Sequence, residues 1–145
     1  MQSVAKWSIK DSEQLYHING WGEPYFKINE RGHIEVDPSG SGKYKIDLFD
    51  LVADIEERGH NLPLLLRFSD ILSDRIRMLN EAFRAAIAEY GYENEYRGVY
   101  PVKVCQQRHV VSEIVEYGEK YKYGLEAGSK PELLIVLAML SKLPS

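Results

Sequence analysis

The residues with the most chemical potential gather in one stretch, Tyr96-Arg-Gly-Val-Tyr-Pro-Val-Lys-Val-Cys-Gln-Gln-Arg-His109. An apolar run from Val99 to Val104 carries a single lysine, Lys103, near its end. Polar residues follow at once, and then Val110 and Val111. The pattern predicts a strand, a short loop and a helix, with an amine where the strand stops. In α/β folds the loops at the carboxyl ends of the strands build the site. A buried lysine there loses the hydration that favours its charged form, so more of it is neutral amine. Neutral amine attacks an aldehyde to form a Schiff base. With pyridoxal phosphate as the aldehyde, the ring becomes an electron sink for chemistry at an amino-acid α-carbon. Val102-Lys103-Val104 also fits an ordinary half-exposed strand with its lysine in water. Pro101 is unwelcome in a central strand, and pattern alone favours this plainer reading.

The elements that must position this stretch can be read along the chain. Glu23 to Ile28 and His33 to Val36 flank Asn29-Glu-Arg-Gly32, a hairpin signal with glycine in the turn. Asp37-Pro-Ser-Gly-Ser-Gly42 has the composition of a loop or linker. Asp47 can cap a helix whose Leu48, Leu51, Val52 and Ile55 share one face, with Arg58 and Gly59 as its stop. Leu62 to Phe68 is nearly continuous in apolar residues, as expected for a strand buried on both sides. Ser69 or Asp70 opens the longest helix, with Leu72, Ile76, Leu79, Phe83, Ile87 and Tyr90 at helical spacing and Gly91 as the stop. Gly98 to Val104 is the second core strand, and Val110, Val111, Ile114 and Val115 mark a helix ending at Gly118. Tyr121 to Leu125 is a third strand. Ser129-Lys-Pro-Glu132 forms a capping box for a final helix from Leu133 to about Leu143, apolar nearly all round and so expected to be buried.

A short β region followed by alternating helices and strands implies parallel strands joined by right-handed crossovers. The 145 residues fit one domain, and 44% hydrophobic with 28% charged residues is ordinary for a globular protein. A net charge of −4 gives no electrostatic reason to expect nucleic acid or an anionic membrane as partner. One cysteine, Cys105, rules out an intrachain disulfide and fits a reducing compartment. No apolar signal core opens the chain, and no apolar run is long enough to span a bilayer. The expected location is cytoplasmic.

Tyr100-Pro-Val-Lys-Val-Cys-Gln-Gln-Arg-His109, followed by Gly124-Leu-Glu-Ala-Gly-Ser-Lys-Pro-Glu-Leu133, closely resembles the biosynthetic arginine decarboxylases. These are pyridoxal-phosphate enzymes of the alanine racemase-like barrel class. Leu65-Leu-Arg-Phe-Ser-Asp-Ile-Leu72 and Tyr16-His-Ile-Asn-Gly-Trp-Gly-Glu-Pro-Tyr-Phe26 are similar to the same family. Four segments in the family's order make the resemblance specific. It implies the N-terminal part of a parallel (β/α)8 barrel, about three βα units over residues 43–145, preceded by a β-rich segment and linker over residues 1–42. It further implies Lys103 as the lysine that holds pyridoxal phosphate covalently, and conversion of L-arginine to agmatine and carbon dioxide in polyamine synthesis. Mg2+ is a further cofactor the family suggests. Because family members are several times longer, the expected partners are the remaining part of the same enzyme or further copies of this chain. Cys105 stands where the family usually has asparagine.

The other candidates carry two readings each. Glu126 matches an acidic position near the cofactor lysine in similar barrels, and is equally well read as a solvated loop carboxylate. Ser129 and Lys130 follow in the same motif, with Ser129 adequately explained as a cap. Arg67 could face the barrel mouth or be a paired structural arginine. His109 reads as a surface or packing residue and Cys105 as an inert thiol. His17, His33 and His60 lie in separate elements without metal-ligand spacing. Ser39-Gly-Ser-Gly42 precedes a helix without following a strand, a weak match to a phosphate cradle.

Overall fold

A computed structural model describes residues 6–140. They divide into two compact units between Ile71 and Leu72.

Among the described residues the first unit opens with two helices, α1 (Ile9–Tyr16) and α2 (Ile18–Gly22). This corrects the expectation of a β-rich start, and the cause is local. Ser8 accepts the Asp11 N–H while the Asp11 carboxylate takes the Ser8 N–H at 2.7 Å, a reciprocal capping box. His17, left-handed at φ 49°, separates the two helices. The expected hairpin follows, with β1 (Phe26–Ile28) antiparallel to β2 (Ile34–Val36) and Ile28 opposite Ile34. Gly32 takes φ 80° in its turn, a conformation glycine adopts without a Cβ penalty. A third strand, β3 (Ile46–Asp47), pairs antiparallel with β2. Ile18, Tyr25 and Val36 are buried in this unit.

The Gly/Ser-rich segment after β2 is built around a carboxylate. Asp37 is buried and accepts hydrogen bonds from Ser39 N–H, Ser39 Oγ and Gly42 N–H. Burial pushes its pKa up, but these donors outweigh burial and hold it below the usual carboxylate range. Helix α3 (Leu48–Glu57) begins where expected, with Asp47 accepting the N–H groups of Phe49 and Asp50. Gly59 follows at φ 91°.

Residues 62–68 depart from expectation. They run without strand pairing among the described residues, and Leu62 and Leu65 are exposed. An apolar run records an affinity for burial; a strand also needs a neighbour to close its hydrogen bonds, and here no ladder forms.

Helix α4 (Ser69–Tyr90) starts and stops as predicted, with Gly91 at φ 62°. Within the second unit lie β4 (Val99–Pro101), α5 (Arg108–Gly118), β5 (Gly124–Glu126) and α6 (Lys130–Leu140). The β4 and β5 strands pair in parallel, Val99 with Gly124 and Pro101 with Glu126. The core joins Ile76, Val110, Ile114 and Tyr121, with Leu72, Tyr100 and Leu125 packed against it. Both strands are shorter than the sequence suggests, because 3-10 turns occupy Val102–Val104 and Glu119–Tyr121. The expected burial of the last helix is also not met. Leu133, Leu134, Leu137 and Leu140 are exposed, while Val136 and Met139 face inward. Among the described residues the fold class is mixed α/β, with one antiparallel sheet and one parallel pair.

Candidate functional site

The site is set by how β4 ends. Pro101 has no N–H, so it can close a strand but not extend the ladder from its own nitrogen. Beyond it the backbone tightens into the Val102–Val104 turn. Val102 is fully buried, and Lys103 and Val104 are exposed. Tyr100 Oη donates to the Cys105 carbonyl at 3.2 Å, which bridges the two sides of the turn. Lys103 therefore stands just past the carboxyl end of β4, as the sequence implied. It is exposed rather than buried, which corrects the argument from desolvation.

The parallel register brings the second candidate alongside. Glu126 is the backbone partner of Pro101, two residues before Lys103, and is itself exposed at the end of β5. Both candidates thus occupy the same end of one strand pair.

A third group reads in the sequence only as part of a cap. Glu132 is buried, and its carboxylate accepts the Gly128 N–H at 2.8 Å and the Ser129 hydroxyl at 2.9 Å. Ser129 Oγ in turn accepts the Glu132 N–H at 3.4 Å. The Gly128 N–H is the main cause of a pKa below the usual carboxylate range. The Ser129 hydroxyl adds to it, burial opposes it, and the nearby positive charge of Lys103 favours the ionised form. Lys103 and Glu132 are thus electrostatic neighbours across 29 positions of sequence. The Glu126-to-Glu132 motif contained the signal, but the capping role accounted for Glu132 and hid the second one.

Of the remaining candidates, Cys105 and Ser129 also lie at this end, beside Lys103 and Glu132 respectively. Cys105 is half-buried, with Sγ 3.8 Å from Gln107 Oε1. His109, Lys130 and Arg67 are exposed. Ser129 serves as the cap of α6.

The structure gathers His33 with Asp47 and Asp50, whose ligand atoms lie within 4.8 Å of one another. Arg31 already bonds Asp50 at 2.6 and 3.0 Å and reaches Asp47 at 3.4 Å. A hard cation such as Mg2+ needs oxygen ligands not already neutralised by a guanidinium. The cluster does not fit the Mg2+ that the resemblance implies, and no step is assigned to that ion.

No protein-family model matches the chain. Among curated proteins, the biosynthetic arginine decarboxylase of Gloeobacter violaceus is 65% identical over 134 residues, covering 92% of this chain and 21% of that protein. Biosynthetic arginine decarboxylase 1 of Synechocystis sp. is 58% identical over 135 residues, covering 93% of this chain and 19% of that protein. Among solved structures, the biosynthetic arginine decarboxylase of Campylobacter jejuni matches with a TM-score of 0.77 and 37% identity, over 86% of this chain and 20% of that one. The chain spans about a fifth of the length of the curated relatives it matches. Over nearly its whole length, therefore, this chain corresponds to a portion of the biosynthetic arginine decarboxylases.

Proposed function

We propose that this chain supplies the cofactor-lysine portion, from the N-terminal part, of a pyridoxal-phosphate-dependent arginine decarboxylase. The reaction would be L-arginine to agmatine and carbon dioxide, an entry to polyamine synthesis in the cytoplasm. The β4–α5–β5–α6 order would be βα units of a larger parallel barrel. The observation that carries the reading is Lys103 at the carboxyl end of β4, in register beside the end of β5 that bears Glu126.

The residues present fit an aldehyde cofactor. The Lys103 amine is exposed at a strand end and so reachable, and two carboxylates, Glu126 and Glu132, belong to the neighbouring segment. Lys103 would hold the group covalently, and Glu126 would lie beside it. When bound, the cofactor supplies an electron sink for the pair left at the α-carbon as the carboxylate departs. Once the substrate's α-amine has displaced it from the cofactor, Lys103 would be the free amine placed to hold and return a proton at that carbon. Contacts to phosphate, ring nitrogen and guanidinium would come from sequence beyond this chain.

The test is covalent mapping. Borohydride reduction of the chain with pyridoxal phosphate, followed by mass spectrometry, should label Lys103 above all other lysines. Labelling no stronger at Lys103 than at the other lysines would mean that this chain alone is not a cofactor site, and the second reading would take its place.

A second reading rests on its own observation, the exposed leucine face of α6. A helix that is apolar all round expects cover. In this reading the chain is a non-catalytic piece that assembles with the rest of such an enzyme or with itself. A monomer by light scattering that gains no activity from the remaining portion would count against it.

A further inference from the structure

A cavity of about 220 Å³ lies at the opposite end of the β4–β5 pair from Lys103. It is lined by Asn94, Glu95 and Tyr96, which precede β4, and by Lys120, Tyr121 and Lys122, which precede β5. Asn80 and Arg84 of α4 complete the polar wall. Parallel strands put all their amino ends together, so this cavity and the lysine end are separated by the strand length. That is about 10 Å for three residues.

The charge in this cavity is lopsided. Arg84, Lys120 and Lys122 line it against one carboxylate, Glu95. That carboxylate is already shared. Arg97 bonds it, and Lys122 Nζ lies 3.3 Å away. These cations hold its pKa below the usual range, Arg97 first and Lys122 second. Among the described residues, neither Arg84 nor Lys120 forms an ion pair. Instead both are held over one ring. The Arg84 guanidinium carbon lies 5.3 Å from the Tyr121 centroid, and Lys120 Nζ lies 4.9 Å from it. Tyr121 is a core residue, so it is a fixed platform for them. Asn80, 2% exposed, anchors its amide nitrogen on the Ile76 carbonyl at 2.7 Å. Two cations pre-positioned without a counter-charge, in a chain of net charge −4, form a local reversal of sign.

We infer that this cavity is a binding site for a small oxyanion, a phosphate or carboxylate, held by Arg84 and Lys120 with Lys122 at the rim. Its volume lies below the roughly 300–1,000 Å³ usual for sites of drug-sized molecules, so it suits a compact anion. Arg84 brings a planar fork that can engage two oxygens of one group, and Lys120 adds a point charge. The site is independent of the cofactor chemistry proposed for Lys103.

The test is a titration of the 145-residue chain with inorganic phosphate and, separately, with citrate, at constant ionic strength set by chloride. Amide chemical shifts of residues 94–96 and 120–122 should move and saturate, with a dissociation constant of about 1 mM or tighter. Arg84→Gln and Lys120→Gln should each weaken binding by about tenfold, the loss of one charge-assisted contact. Lys103→Ala should leave it unchanged, which separates this site from phosphate capture at the lysine end. Saturation by phosphate alone identifies a phosphate site, and saturation by both anions a general oxyanion site. Shifts that grow linearly, that chloride reproduces, or that saturate with an unchanged dissociation constant in Lys120→Gln would overturn the inference. Lys120 is exposed, so that variant decides the matter even if Arg84→Gln fails to fold.

Discussion

His33 and Asp47 meet through two close contacts, with the imidazole Nδ1 3.1 Å from Oδ1 and 3.0 Å from Oδ2. The same carboxylate accepts Asn29 Nδ2 at 2.8 Å and the Phe49 N–H at 3.0 Å. One side chain thus ties the β1–β2 turn to the start of α3. Burial pushes the Asp47 pKa up, but hydrogen bonds from Asn29, the Asp50 N–H and His33 bring it down to about 2. A carboxyl depressed in the folded state adds stability above its unfolded pKa, and that stability is lost as pH falls through the folded pKa. The contribution of Asp47 should therefore be complete at neutral pH and disappear between about pH 4 and pH 2. Urea unfolding midpoints measured across that range should fall in the native chain. In Asp47→Asn the neutral-pH midpoint should be lower and the acid fall shallower. An equal acid fall in both proteins would show that other carboxylates carry it.

How much of this was legible beforehand depended on range. Asp47 as a cap, Gly59 and Gly91 as stops and the β1–β2 turn are local signals, since each is decided by a few neighbouring residues. The placement of Lys103 and Glu126 at one end was also readable, because strand–helix alternation implies parallel strands. Residues 62–68 carry a strand's hydropathy without its pairing, because hydropathy does not reveal whether a pairing neighbour exists. The helices between Ile9 and Gly22 are poorly legible because the Ser8–Asp11 cap lies ahead of weakly periodic residues. The Lys103–Glu132 neighbourhood and the Arg84–Tyr121–Lys120 grouping join separate segments, and no spacing rule reaches that far.

Gly98 and Tyr123 set a steric limit at the start of β4. A Cβ built on Gly98 would come within 2.0 Å of Tyr123 Cε2 and 2.6 Å of Cδ2. The ring must move, and it is partly buried against the core. Gly98→Ala should destabilise the chain by about 1–3 kcal/mol, the usual cost of overpacking. Chemical denaturation should show a lower midpoint with an unchanged slope. The pair Gly98→Ala with Tyr123→Ala should recover the overpacking part of the loss. No recovery would place the cost in the Gly98 backbone instead.

Within the core, Ile114 is 2% exposed and packs with Ile76, Val110 and Tyr121. Ile114→Ala should cost about 2–5 kcal/mol, combining lost transfer energy and a residual cavity. Because Tyr121 is also the platform for Arg84 and Lys120, the same variant should weaken phosphate binding at the amino end. A stability loss without any change in that binding would show that the platform holds without the core beneath it.

At the lysine end, Glu132 closes the turn before α6 through Gly128 and Ser129. Hydrogen bonds to a carboxylate are about twice as strong as those to a neutral acceptor. Glu132→Gln keeps the shape and removes the charge, so amide exchange at Gly128 should quicken while the rest of α6 holds. The charge that faces Lys103 is removed in the same step. The extent of Lys103 labelling by pyridoxal phosphate should change, whereas labelling of Lys130 should not. Identical labelling before and after the substitution would confine Glu132 to capping.

Leu134 and Leu137 are one helical turn apart on α6, 67% and 55% exposed. Residues three apart share a helix face, so with Leu133 and Leu140 they form a continuous apolar strip. Such a strip is stabilised by cover rather than by water. The double variant Leu134→Gln, Leu137→Gln should reduce self-association of the isolated chain, read as a fall in mass by light scattering. The folded chain should lose little stability, since exposed positions usually move it by no more than about 0.5 kcal/mol. If the strip is instead covered by the rest of a longer enzyme, the double variant should also fail to bind that remaining portion. Unchanged mass together with unchanged binding would mean that the strip is a bare surface, and the assembly reading would fall.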